Sequence, residues 1–200
     1  FGKPLSEVKI GDEASAELFA KINTETMETE NVLGYLEGSE KPDELIVLTA
    51  HYDHMGIEDG KIYNGADDDA SGVDSAHMDD REFIYLIGSN RISTELHEIS
   101  EAMNENYTKL KLDYTYNAED HPDRIYYRSD HWNFAKNGVP IIFYFNGTHP
   151  DYHQHTDTVE KIEFDLLKNR TDLVFYTAWE IANRVERPSI DPKEEPKEEK

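Results

Sequence analysis

Along the chain, the spacing of apolar positions changes several times. Residues 12–22 place Ala14, Leu18, Phe19 and Ile22 at helical intervals, which predicts a short helix. Residues 30–37 (ENVLGYLE) and 44–50 (ELIVLTA) are rich in branched and aromatic side chains, and Gly38, Ser39 and Pro42 between them predict a hairpin. The second run is almost wholly apolar, as a strand covered on both faces should be. Residues 82–88 (EFIYLIG) and 139–145 (VPIIFYF) predict two further buried strands, the latter entered through the turn Asn137-Gly138. Residues 93–107 predict a helix with Leu96, Ile99 and Met103 on one face and Ser93 as its cap. Residues 164–184 predict an amphipathic helix with Leu166, Leu167, Leu173, Val174 and Ile181 on its apolar side. Strands alternating with helices point to the α/β class, with a mostly parallel or mixed central sheet and flanking helices.

Composition leaves this picture as one domain over residues 1–187. Residues 188–200 (PSIDPKEEPKEEK) are charged, proline-rich and almost free of apolar content, which predicts a disordered tail or one ordered only by a contact. With 43 Asp and Glu against 20 Lys and Arg, the formal net charge of -23 repels phosphate backbones and anionic lipid, so neither nucleic acid nor membrane is an expected partner. The chain has no cysteine, so any metal would be held by His and carboxylate. No apolar run approaches a membrane span, and the start at Phe1, without Met or a signal-like segment, predicts a processed or trimmed product.

Polar residues gather where the apolar runs end, which is where open α/β sheets place their sites. After residues 44–50 comes His51-Tyr52-Asp53-His54. Asp53 stands two residues from His51, close enough to hold one ring nitrogen while the other binds metal; an ordinary strand-end histidine bonded to Asp53 is the equal alternative. Asp67, Asp68 and Asp69, between Asn64-Gly65-Ala66 and Ala70-Ser71-Gly72, repel one another unless a cation or solvent relieves them. A solvated acidic turn is the commoner fate of such a triplet, and the small flanking residues favour a crowded site. Tyr152-His153-Gln154-His155-Thr156-Asp157-Thr158 follows residues 139–145 and offers an imidazole with a supporting carboxylate, or simply a helix-entry loop. His77, His97 and His121 lie among polar neighbours and read as surface side chains.

Taken together, the three segments resemble the aminopeptidase Y-like metallopeptidases of family M28, which are di-zinc exopeptidases. The likeness runs over residues 30–72 and again from Phe83 to the last helix. It implies the zinc-exopeptidase (phosphorylase/hydrolase-like) fold, and His51 as a zinc ligand with Asp53 behind it. It also implies Asp67 as a carboxylate bridging two zinc ions, with Asp68 behind and a cis peptide between the two. By the same likeness, the register of Asp157-Thr158 makes His153, not His155, the ligand of the other zinc, with Asp157 supporting it. Tyr152 would then polarise the substrate carbonyl. Ser129-Asp130-His131, with Phe134 and Gly138-Val139-Pro140, is similar to the family segment lining the site, which nominates Asp130 and His131.

The chain departs from that family after Val73. There the family usually has a long helix, a strand ending in Glu-Glu and a strand ending in Asp, which supply the general base and two zinc ligands. Here Val73 leads into Asp74-Ser75-Ala76-His77-Met78-Asp79-Asp80-Arg81, and the only Glu-Glu pairs are Glu194-Glu195 and Glu198-Glu199. Ser75-Ala76-His77-Met78 reads as a vector-encoded junction, with a natural short loop as the alternative. The expected domain is thus shortened by a helix and two strands, holds one zinc or none, and carries out impaired aminopeptidase-type hydrolysis of peptide N-termini. The alternative is a non-catalytic module acting as a scaffold or homodimer that covers exposed sheet edges. The resemblance leans towards a secreted or periplasmic location.

Overall fold

In the computed structural model, residues 21, 22, 24, 26, 28–66 and 82–192 are described. The chain divides into two units, Phe1–Pro42 and Asp43–Lys200. The helix expected over residues 12–22 lies outside the described residues except for its last two positions, which are not helical.

The core is built on β3 (Phe83–Ile87), whose five residues are all buried. It is the middle strand of a three-stranded mixed sheet: β4 (Lys111–Asp113) runs parallel on one side and β5 (Phe143–Phe145) antiparallel on the other. Side chains of a strand alternate between faces. Phe83, Tyr85 and Ile87 therefore meet an aromatic layer of Tyr116, Tyr126, Trp132, Phe143 and Phe145. Ile84 and Leu86 meet Leu110, Leu173, Met103 and Tyr144 on the other face. Burying each such side chain stabilises by roughly 1.5–3 kcal/mol.

Two helices cover the second face. α1 (Thr94–Met103) starts at Ser93, whose hydroxyl accepts from the Leu96 amide at 3.0 Å, as the sequence predicts. It runs on into a π turn (Asn104–Thr108), which Asn104 closes by donating to the Leu110 carbonyl and accepting from the Leu110 amide. α3 (Phe164–Ala182) buries Arg170, Leu173 and Thr177, with Arg170 Nε donating to the Phe83 carbonyl at 3.1 Å. Tyr144 of β5 ties both helices to the sheet: its hydroxyl lies 2.8 Å from Ser100 Oγ and donates to Thr177 Oγ1 at 3.2 Å. α2 (His131–Ala135) is a short turn on the aromatic face. No helix among the described residues is long and apolar enough to cross a membrane.

Two expectations fail here. Residues 30–37 and 44–50 form no strand, and the apolar side chains Val32, Leu33, Leu36, Leu45, Val47 and Leu48 are exposed. A strand apolar on both faces needs neighbours along both edges and a layer over each side, and among the described residues no strand pairs with either segment. The strand expected over residues 139–145 is also shorter, pairing only at Phe143–Phe145. A hairpin forms instead further on, between β1 (Gly56–Glu58) and β2 (Lys61–Tyr63), paired antiparallel. Its two-residue turn is Asp59-Gly60, with φ 49 and 74; both residues take the left-handed conformation that suits a tight hairpin.

The segment after α3 does not simply trail away. Asp191 Oδ2 accepts from the Thr94 amide at 2.8 Å and its hydroxyl at 2.7 Å, the Asp191 amide donates to the Ile92 carbonyl, and the Ser189 amide donates to Glu95. These contacts hold residues 189–191 at the start of α1. Residues 193–200 lie outside the described residues.

Candidate metal centre

His51 is one-third exposed, and its Nδ1 lies 3.0 Å from the Asp53 carbonyl oxygen and 3.5 Å from Asp53 Oδ1. Nδ1 donates to that carbonyl, which can only accept, so the lone pair of the neutral ring sits on Nε2. The contact that holds this tautomer is to the Asp53 backbone oxygen, with the carboxylate further off, an arrangement that an ordinary histidine bonded to Asp53 would share. Three residues on, His54 is half-buried and its ring meets that of His153 edge-on, with centroids 5.7 Å apart and planes at 63°.

His153 belongs to a tightly turned loop. Tyr152 donates its amide to the His149 carbonyl, Gln154 to Asp151 and Asp157 to Gln154. Asp151 anchors the loop from below through Lys161 at 2.7 Å and through the Thr156 hydroxyl, and these donors hold its carboxyl below the usual range. His153 takes a left-handed backbone (φ 56), and its ring stacks on Tyr152 at 4.0 Å and 17°. Asp157, at the end of the loop, is buried, with 1 % of its surface exposed. His155 faces Tyr63 at 6.1 Å, so the open end of the β1–β2 hairpin, where Gly56 pairs with Tyr63, lies beside this loop, close to the His54–His153 contact.

The remaining nominated residues sit differently. Asp130 is exposed at the start of α2 and its side chain caps no helix amide. His131 is in the core, stacked on Phe143 at 4.3 Å, with Nε2 donating to the Tyr126 carbonyl at 2.7 Å. Burial pushes its pKa below the usual histidine value. Asp67 and Asp68, with the peptide between them, lie outside the described residues. Among the described residues, no three His or carboxylate side chains gather as a metal-binding group. The structure thus brings His54 and Tyr152 to His153, and Asp53 to His51.

Imidazoles on two loops, His51 with its Nδ1 turned to a carbonyl, are side chains of the type zinc accepts as donors. His54 is the residue the motif reading passed over. The usable signal was Asp59-Gly60, a two-residue hairpin turn that folds the chain back beside the second loop.

No curated protein and no solved structure matches the chain. The model of peptidase family M28 matches it in two pieces, residues 31–78 and 73–178, which together take in both polar loops. That family is one of metallopeptidases and is generally zinc-dependent. Since the matched residues make up well over half of its length, the chain is a member of peptidase family M28.

Proposed function

We propose that the chain carries the metal-gripping and carbonyl-polarising part of an aminopeptidase Y-like hydrolase acting on peptide N-termini. His51, Asp67 and His153 would be its zinc ligands. The observation that carries this reading is a family match running, in order, through the His51 loop, the aspartate run and the His153 loop. Bound zinc would supply Lewis acidity and a water of lowered pKa. The chain's own residues do the rest. Asp53 would fix the His51 tautomer, Asp68 would support Asp67, and the buried Asp157 would support His153. Tyr152, its ring held by the stack on His153, directs its hydroxyl proton to the carbonyl oxygen of the scissile bond. Asp130, exposed at the α2 start, would line the substrate site, with His131 behind it in the core.

Hydrolysis also needs a base for the proton of the attacking water. The sequence has no Glu-Glu pair before Phe83, and the two pieces of the family match meet at residues 73–78, where the resemblance puts that pair. The expected outcome is zinc binding with little turnover. Calorimetric titration should show a site of about one zinc, as three protein ligands plus water would give, and its heat should vanish in His153→Ala. Equal heats for the two proteins would overturn the ligand assignment. Leucine p-nitroanilide turnover abolished by a chelator and restored by zinc would overturn the lack of a base.

A second reading is favoured by the exposure of Leu45, Ile46, Val47 and Leu48. A second copy covering these apolar side chains would make the chain a self-associating, non-catalytic module. Nucleic acid and membrane stay outside both readings on charge.

A further inference from the structure

We infer that the cavity formed by residues 119–127 binds a small zwitterion, a free amino acid or a dipeptide, with Arg124 taking its carboxylate and Glu119 and Asp120 its ammonium. None of these residues belongs to the His51 loop or the His153 loop, and the site needs no metal, so it stands independently of the peptidase reading.

The cavity has a volume of about 320 Å³ and is lined by Glu119, Asp120, His121, Pro122, Arg124 and Tyr127. That is the small end of the range for small-molecule sites, which suits a ligand of one or two residues. Its wall is fixed by successive turns: the His121 amide donates to the Ala118 carbonyl, Arg124 to His121 and Tyr127 to Arg124. The Asp123 amide donates to His121 Nδ1 at 3.2 Å, and the His121 ring meets Tyr116 edge-on at 4.9 Å. Behind the wall, Tyr127 packs on Tyr126 and Trp132 of the aromatic layer, and Arg91 donates to the Asn117 and Ala118 carbonyls where the loop begins. A wall anchored in this way costs little further ordering when a ligand arrives.

Arg124 gives the cavity its chemistry. Its backbone is left-handed (φ 50), a conformation that a non-glycine residue adopts at a cost and that gathers at ligand clamps. Its guanidinium lies over the Tyr127 ring, 4.7 Å from the centroid. Stacking takes up one face of the guanidinium and leaves the N–H donors on its edge, which match a carboxylate two by two. Glu119 and Asp120 line the same cavity without pairing with Arg124, and among the described residues none of the three joins any other ion pair. Opposite charges on one lining that stay apart from each other are satisfied together by a ligand carrying both signs. An anion alone would face two carboxylates, and a cation alone would face the guanidinium. All three charged side chains are exposed, so the ligand enters from solvent and is held with the millimolar affinity that screened charges give.

The test is an amide-resolved NMR titration of the full chain with leucine and with glycylleucine, each with and without a chelator. The N-acetylated and C-amidated forms of each serve as probes that lack one charge. At least one of the two zwitterions should move the amides of residues 119–127 at millimolar concentration, equally with and without chelator, and its two blocked forms should bind at least tenfold more weakly. Arg124→Gln should weaken the zwitterion at least tenfold, whereas Arg187→Gln, at an exposed position outside the cavity, should bind as wild type; circular dichroism confirms that both are folded. The assignment is overturned if neither zwitterion moves those amides, if the blocked forms bind as well as the zwitterion, or if Arg124→Gln binds as wild type. Binding that disappears with chelator would place the ligand at the metal loops, overturning this site and leaving the peptidase reading intact.

Discussion

Gly88 closes β3 with a φ of 77, and a Cβ added there would sit 2.3 Å from the Tyr126 ring and 2.8 Å from Ile141. Both the backbone and the space exclude a side chain, so Gly88→Ala should lower stability by about 2–4 kcal/mol in chemical denaturation. His131 carries a pH dependence. Burial lowers its folded pKa below the unfolded value, and among the described residues its Nδ1 has no hydrogen-bond partner. The unfolded chain therefore binds the proton first, so this contribution is fully present above the ordinary histidine pKa and is lost as pH falls through it. Urea midpoints between neutral pH and mild acid should drop less in His131→Phe than in wild type. In sequence, His131 was nominated from a motif; its burial came from Phe143 and Tyr126, far away in the chain or on another element, and no local pattern showed that.

Among the elements, those that were legible were the ones whose periodicity had a partner. β3 and α3 emerged near their expected bounds because alternation on β3 and a helical stripe on α3 meet across one core. Residues 44–50 show the opposite case: a strong strand composition forms no strand where none of the described strands lies beside it. The β1–β2 hairpin, by contrast, owes little to apolar content and much to Asp59-Gly60. Segment 189–191 adds a cap that its composition concealed, because one aspartate at the right place outweighs the polar average. Asp191→Ala should cost about 1 kcal/mol, the usual worth of a carboxylate on helix-start amides, and should show as faster amide exchange at Thr94.

At the level of the whole molecule, the family and its two polar loops were readable because metal chemistry constrains residue type at fixed spacing. What could not be read was convergence. Among the described residues His51 and His153 join no group of three donors, and the contact that does form is His54 with His153. The exposed apolar residues 45–48 give the molecule a concentration dependence to test. Replacing Val47 with Lys should reduce self-association in sedimentation velocity, and an unchanged, monomeric profile for both proteins would remove the module reading. The Tyr144 hydroxyl has a consequence of another kind. It is a single atom shared by α1, β5 and α3, so those elements cannot breathe independently: their slowest amides should trade hydrogen for deuterium at one common rate, and Tyr144→Phe should split that shared rate into separate ones.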